Sequence, residues 1–342
     1  VRIWMPETMA NFESALPGLH LGCRLSWYPT ANPGEIMDEF YHRFYGAAAD
    51  LMRAYWETID RAWTDSPEHA GCGFGHLRRF TPATMKVARE ALDKAAAKAK
   101  TDVEKKRVQM ANDSFTEFEL FMKMRTDLAE GRFANLEVDS ALWQTNWIGL
   151  TAKYQPQYAF SPYGNNYFGQ FFAPAYRDAA RLAREFIVQP PLKPWRYQVN
   201  KEKLGETVGW QKPDLDDTVW PTTDPAIDTW ADLGLWDCYG QVWYRTTVKT
   251  PVVPAGKKVY LWISSTDGSA KVFVNGNHVP YINAKGETNE VFGGYCQPAS
   301  FDITPALGPG TNTQLSILTT RLALNELGTG GLLGPVTIYH EK

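Results

Sequence analysis

Asp267-Gly-Ser-Ala-Lys-Val-Phe-Val-Asn-Gly276 is the stretch on which the reading of the fold turns. Ala270, Val272 and Val274 alternate with Lys271 and Phe273, the two-residue period of a pleated strand. Asn275-Gly276 then offers two residues that tolerate positive φ, as a type I′ hairpin turn requires. Asn277, His278 and Val279 begin the return strand. The stretch predicts a β-hairpin and by itself says nothing of function.

Strand-like segments surround it: Gln241 to Thr250, Lys258 to Ser264, Gln314 to Thr319 and Val336 to Tyr339. Pro/Gly turns separate them and no helical period intervenes, which indicates an antiparallel sandwich. Val residues of the hairpin, with Trp243 and Trp262, belong in its core. Pro190 to Pro194 reads as a stiff, extended linker, residues 190–194, ahead of a β domain at 195–342.

Upstream the period becomes helical. Ile36, Phe40, Phe44, Ala48, Leu51, Tyr55, Ile59 and Trp63 recur at three- and four-residue steps, so one long amphipathic helix is expected from Glu35 to Trp63. Asn32-Pro33 suits its start, and Gly46 inside it suggests a close helix crossing. Thr81-Pro82 opens a second helix. Others are expected over about 102–130, 138–153 and 174–186, with loops at 64–81 and 154–170. These lengths fit an antiparallel helical bundle over 35–189. Residues 1–34, broken by Pro6, Pro17, Pro29 and Pro33, read as loops. The fold class is therefore α+β and multidomain, a helical bundle followed by a β-sandwich.

Composition limits the functions. The 342 residues are 44% apolar and 21% charged, a globular balance. A net charge of −3 supplies no general attraction for nucleic acid, and the Lys-dense run from Lys94 to Arg107 reads as a solvated helix face. No apolar run approaches the ~20 residues that cross a bilayer. The chain begins at Val1 without a leader pattern, as a mature form or a fragment would. Thirteen Trp and sixteen Tyr raise the prospect of a glycan ligand, since sugars stack on aromatic rings. The four cysteines form no C-x-x-C pair, and His69 to His76 with Cys72 falls short of a four-ligand zinc site. No cofactor is expected. Asp214, Asp216 and Asp217 carry the oxygen ligands that a structural calcium takes, against capping and turn roles.

In order, Asp216-Asp-Thr-Val-Trp220, Val242-Trp-Tyr-Arg245, Asp267 to Gly276, Phe301-Asp-Ile-Thr304 and Gly330-Gly-Leu332 resemble the galactose-binding-like jelly roll that serves as the sugar-binding domain of family-2 glycosidases. The resemblance covers about residues 195–342. More loosely, Glu13, Arg24-Leu-Ser-Trp27, Pro29 and Phe44-Tyr-Gly-Ala-Ala-Ala49 resemble the end of a (β/α)8 barrel and its following helix in proteins laid out like α-glucuronidases. Residues 1–34 would then be the remnant of a preceding barrel.

The resemblance implies the accessory, carbohydrate-binding part of a secreted or periplasmic glycan-degrading protein. Alternatives are a glycosidase completed by an N-terminal barrel or another chain, and a structural module that dimerises through the helices. Glycoside hydrolysis needs two carboxyl groups about the scissile bond. Glu13 is the catalytic candidate, with Glu7 beside it. For a sugar, exposed aromatics beside hydrogen-bonding groups are required. The loops offer Trp230, Trp236 and Tyr239, then Asn283 and Tyr295, then Asn325 and Glu326.

Overall fold

In the computed structural model the described residues are 12–66, 72–250, 252–308, 310–322 and 329–342. The helices are α1 (Phe12–Trp27), α2 (Pro33–Tyr45), α3 (Ala49–Thr64), α4 (His76–Arg79), α5 (Pro82–Lys98), α6 (Asp102–Ala129), α7 (Leu136–Lys153), α8 (Pro162–Phe171) and α9 (Ala173–Glu185). The strands begin with β1 (Phe186–Val188), β2 (Trp195–Val199), β3 (Thr222–Thr223), β4 (Gly240–Lys249) and β5 (Val259–Ile263). They continue with β6 (Thr266–Asp267), β7 (Ser269–Val274), β8 (Asn277–Val279), β9 (Tyr281–Ile282) and β10 (Thr288–Asn289). Last come β11 (Phe292–Gly293), β12 (Ala299–Asp302), β13 (Asn312–Arg321), β14 (Gly331–Leu332) and β15 (Val336–Glu341).

The chain forms two compact units. One comprises residues 1–67, 79–123 and 141–169, and the other residues 68–78, 124–140 and 170–342. The division does not fall at Pro190–Pro194. That segment is tied along the last strand rather than free: the Gln189 amide donates to the Ile338 carbonyl and the Leu192 amide to the Val336 carbonyl.

The first unit is helical. Asn32 caps α2 by accepting from the Gly34 amide at 2.8 Å, with Pro33 at the first position, and Thr81 accepts from the Thr84 amide to cap α5. The single long helix expected from Glu35 is broken at Gly46, where φ is +53° and a short 3-10 turn intervenes before α3. A Cβ on Gly46 would lie 2.2 Å from a carboxylate oxygen of Glu104 on α6, a flexible side chain rather than a helix backbone, so it is the positive φ that requires glycine. Phe40, Tyr45, Met52, Trp56, Leu92 and Phe115 lie in one core cluster from α2, α3, α5 and α6.

Residues 12–27 are helical, against the loops expected for 1–34. Pro17 lies inside α1, where it removes one helical donor without ending the helix. The expected loop at 154–170 also contains a helix, α8.

The second unit is dominated by two antiparallel sheets. A four-stranded sheet runs β1-β15-β5-β12 and a seven-stranded one β11-β7-β13-β4-β2-β3, with β8 also on β7. Val259, Leu261 and Ile338 of the first meet Val242, Val272, Val274, Leu315 and Ile317 of the second in one core. That is the alternation predicted for the hairpin, and Asn275 at φ 50° with Gly276 at φ 83° forms the expected left-handed turn. Trp243 and Trp262 are fully buried, but both are on the outer faces. Trp243 joins Trp220, Phe273 and Leu318 in a second cluster, backed by Trp210 and Leu215 from the 200–221 segment. Trp262 donates its indole N–H to Asp178 of α9 at 2.8 Å and meets the Phe133 ring edge-on. This explains why helical residues belong to the sheet unit: they cover a face that the strands alone would expose.

Gly268, at the head of the hairpin, has φ +98°, and a Cβ there would fall 2.2 Å from the Thr320 carbonyl oxygen. Gly276 has φ +83° but its nearest neighbour would be 3.4 Å away. Gly268→Ala is expected to destabilise the chain by about 3 kcal/mol or more, and Gly276→Ala by about 1–2 kcal/mol. Urea unfolding of the two variants checks the order; equal losses would refute the steric account.

Candidate functional site

The register places several loops at one end of the seven-stranded sheet. Gly240 pairs with Arg321, Thr320 with Ser269, and Ser269 with Gly293. The 224–239 segment enters β4 at that end, β13 ends there at Arg321, and Tyr295 follows β11 there. Tyr295 bridges Thr266, and its ring meets Phe171 edge-on at 5.5 Å.

The loop before β4 is held by its own polar groups. Asp228 accepts from the Thr223 hydroxyl and the Asp224 amide, and Asp232 accepts from the Thr229 amide and hydroxyl. Leu233, Leu235 and Cys238 turn toward the core. Trp236 and Tyr239 remain half exposed, at 52% and 53%. A ring presented this way from a fixed backbone can stack on an apolar sugar face at little entropic cost.

Trp230 departs from the expectation. It is 0% exposed and offers no stacking face. Its indole N–H donates to the Tyr244 hydroxyl at 2.6 Å. A Cβ on Gly330 or Gly331 would lie 2.2 or 2.3 Å from the ring, so the paired glycines exist to admit this indole. An apolar ring whose one polar atom finds a core partner is buried in preference to being left in water.

Asn283 is set apart, in the turn joining β9 to β10. Its carbonyl oxygen accepts from the Lys285 and Glu287 amides while its amide donates to the Glu287 carboxylate. Those bonds occupy it as a turn former. Asn325 and Glu326 lie outside the described residues, as do Glu7 and His69. The described residues on either side are joined: Arg321 donates to the Thr329 carbonyl, and the Thr329 hydroxyl donates to Asp267 at 2.6 Å.

The acidic segment before Trp220 acts structurally. Asp217 pairs with buried Arg245 at 2.8 Å and with Arg196 at 3.3 Å, and Asp216 accepts from the Thr218 amide and hydroxyl. Two arginines on Asp217 do not fit a calcium ligand set. Among the described residues no three His, Cys, Asp or Glu side chains are grouped to hold a metal ion.

Glu13 lies in the first turn of α1, 2% exposed, with its amide donating to the Ala159 carbonyl. It does not line an open mouth. Burial pushes its carboxyl up to about 8; the Ser114 hydroxyl draws it partly back and the Asp113 carboxylate adds to the rise. Neither carboxyl oxygen makes a hydrogen bond of standard geometry among the described residues. On α6, Glu117 is raised to about 7 by burial, opposed by the Asn146 amide and reinforced by Asp113. Asp113 itself accepts from Lys153 at 2.5 Å and from the Tyr154 hydroxyl at 2.7 Å. A general acid must come within hydrogen-bond reach of its substrate, and a carboxyl enclosed by helices does not. Glu117 and Asp113 were missed in the sequence because they lie between the aromatics of an amphipathic helix, where acidic residues are read as solvated.

A carboxyl with a raised folded-state pKa stabilises the fold below its unfolded pKa, and that contribution is lost as pH rises. For Glu13 the window runs from the ordinary 4.5 to about 8. Glu13→Gln is expected to flatten the fall in stability between pH 5 and pH 8. It should also gain on the order of 3 kcal/mol at pH 8. Chemical denaturation at the two pH values measures this; an unchanged slope would refute it.

No family model matches the chain. Over 126 residues, 36% of this chain, it is 32% identical to a β-glucuronidase of Paenibacillus borealis. The match covers 19% of that protein, so the chain spans about a fifth of its curated relative's length. A Ruminococcus gnavus β-glucuronidase solved with an N1-substituted uronic isofagomine matches 46% of this chain and 30% of its own, at 19% identity and a TM-score of 0.37. The same enzyme solved with D-glucuronic acid matches at 19% identity, with a TM-score of 0.35 and the same shares. Part of this chain is thus glycoside-hydrolase-like in sequence.

Proposed function

We propose that this chain is the accessory, carbohydrate-binding-type region of a glycan-degrading protein, and that its sandwich meets sugar at the loop end carrying Trp236 and Tyr239. The observation that carries the reading is this pair of half-exposed rings, three residues apart, on a loop anchored by Trp230, Leu233 and Leu235. The sequence likeness to a β-glucuronidase supports a glycan as the ligand class and glucuronate-bearing polysaccharides as the first to try. Tyr295, half-buried at the same end, adds a third aromatic group. The enclosure of Glu13 favours an accessory role over catalysis by this carboxyl.

Affinity electrophoresis against neutral and glucuronate-bearing polysaccharides tests the proposal. Retardation by at least one is expected, weakened about tenfold (~1.4 kcal/mol) by Trp236→Ala or Tyr239→Ala. Thermal stability should hold, because substitutions at half-exposed positions away from structural bonds stay within about 0.5 kcal/mol. Absence of retardation across the panel, or retardation indifferent to both changes, would overturn it.

A further inference from the structure

From Ser140 to Tyr176 the sequence carries a single charged residue, Lys153, and that one is paired with Asp113 at 2.5 Å. Its other polar groups are amides and hydroxyls set among aromatic rings. Within the first unit this stretch borders a cavity of about 480 Å3. Trp147 and Ile148 of α7, with Phe160, form the apolar wall, and Thr151, Gln155 and Asn165 a polar one, with Tyr158 beside them. Among the described residues the lining has no charged side chain.

The walls are fixed by their own bonds. The Trp147 indole N–H donates to the Ser161 carbonyl at 2.8 Å, and its ring meets Phe160 edge-on at 5.6 Å. Residues 155–157 form a 3-10 turn, closed by the Tyr158 amide on the Gln155 carbonyl at 3.1 Å. Tyr158 itself has φ +52°, a left-handed backbone that bulky residues seldom adopt and that gathers at ligand sites. Its ring is 81% exposed, and among the described residues no other ring or cation lies against it.

The polar wall calls for donors. The side-chain oxygen of Asn165 is buried and has no hydrogen-bond partner among the described residues. The Thr151 hydroxyl gives its hydrogen to the Trp147 carbonyl at 2.9 Å, which leaves it only able to accept.

We infer that this cavity binds an uncharged sugar, a ring face laid against Tyr158 and hydroxyls donated to Asn165 and Thr151. An ion would meet no counter-charge here. A wholly apolar ligand would cover Asn165 and Thr151 without answering them, which costs what an unmade hydrogen bond costs. A neutral pyranose supplies hydroxyl donors at its rim and C–H groups on its face, and the latter suit the negative face of an aromatic ring. The volume lies within the ~300–1,000 Å3 usual for small-molecule sites. The choice of a sugar among uncharged hydroxylated rings rests on the glycan reading proposed above; the neutrality of the ligand and its need to donate do not.

Calorimetric titration of the whole chain with cellobiose, maltose, lactose, D-glucuronate and cyclohexanol tests the site. At least one neutral disaccharide should bind, with glucuronate and cyclohexanol each at least tenfold weaker. Tyr158→Ala and Asn165→Ala should each weaken that disaccharide about tenfold, while Tyr158→Phe, which keeps the ring, should stay within about twofold. Thermal unfolding should be unchanged in Asn165→Ala, since its oxygen has no bond to lose in the free protein. Binding should persist in Trp236→Ala, which separates this site from the sandwich loops. Preference for glucuronate or cyclohexanol, or indifference to both alanine changes, would overturn the inference. If no disaccharide binds while polysaccharides still retard the protein through Trp236, this site falls alone; if retardation also fails, the glycan reading falls with it.

Discussion

The indole N–H of Trp230 is buried in the β-sandwich, where a donor left unpaired is costly, and the loop before β4 is anchored on how that donor is met. The Tyr244 hydroxyl meets it from β4. The ring then fills space that any side chain on Gly330 or Gly331 would occupy, which dictates two consecutive glycines at the start of β14. Leaving such a donor unpaired costs about 1–3 kcal/mol. The loop that begins at Trp230 is thereby fixed at its base, so Trp236 and Tyr239 are presented to solvent from a defined backbone. One aromatic residue is given up to the core so that its neighbours can be displayed.

The outer faces of the two sheets follow the same logic. Arg245, buried on the outside of β4, is neutralised by Asp217 and bonded to the Trp210 and Lys212 carbonyls and the Ser316 hydroxyl. A buried cation without this set would be costly, so the 200–221 segment cannot be a free loop. On the opposite sheet Trp262 draws in Asp178 and Phe133 from helical segments. The helical unit solves a different problem with Glu13. There, enclosure is met by retaining the proton rather than by pairing the charge.

Much of the fold was legible where local chemistry is decisive. The Asn275-Gly276 turn, the alternating valines and the Asn32 and Thr81 caps are all settled by φ preference, period and orphan amides. Where distant segments meet, the reading failed. Pro17 suggested loops, yet α1 forms, because a proline removes one donor that packing can offset. Glu35 to Trp63 looked like one helix, yet the chain breaks at Gly46, whose φ is +53° and beside which Glu104, more than forty residues on, lies. The candidate site was legible in part. Trp236 and Tyr239 are exposed, whereas Trp230 six residues earlier is wholly buried, and nothing in the loop's own composition separates them.

The sequence by itself determined the two kinds of unit, the strand and helix periods, the principal caps and the hairpin turn. These depend on interactions within a few residues, and the residues concerned carry their own preferences. Only the tertiary structure decided which aromatics face water, which carboxyls lose it, and that helices at 124–140 and 170–185 belong with the sheets. Desolvation and long-range contact set these outcomes, and both arise from neighbours distant in the chain.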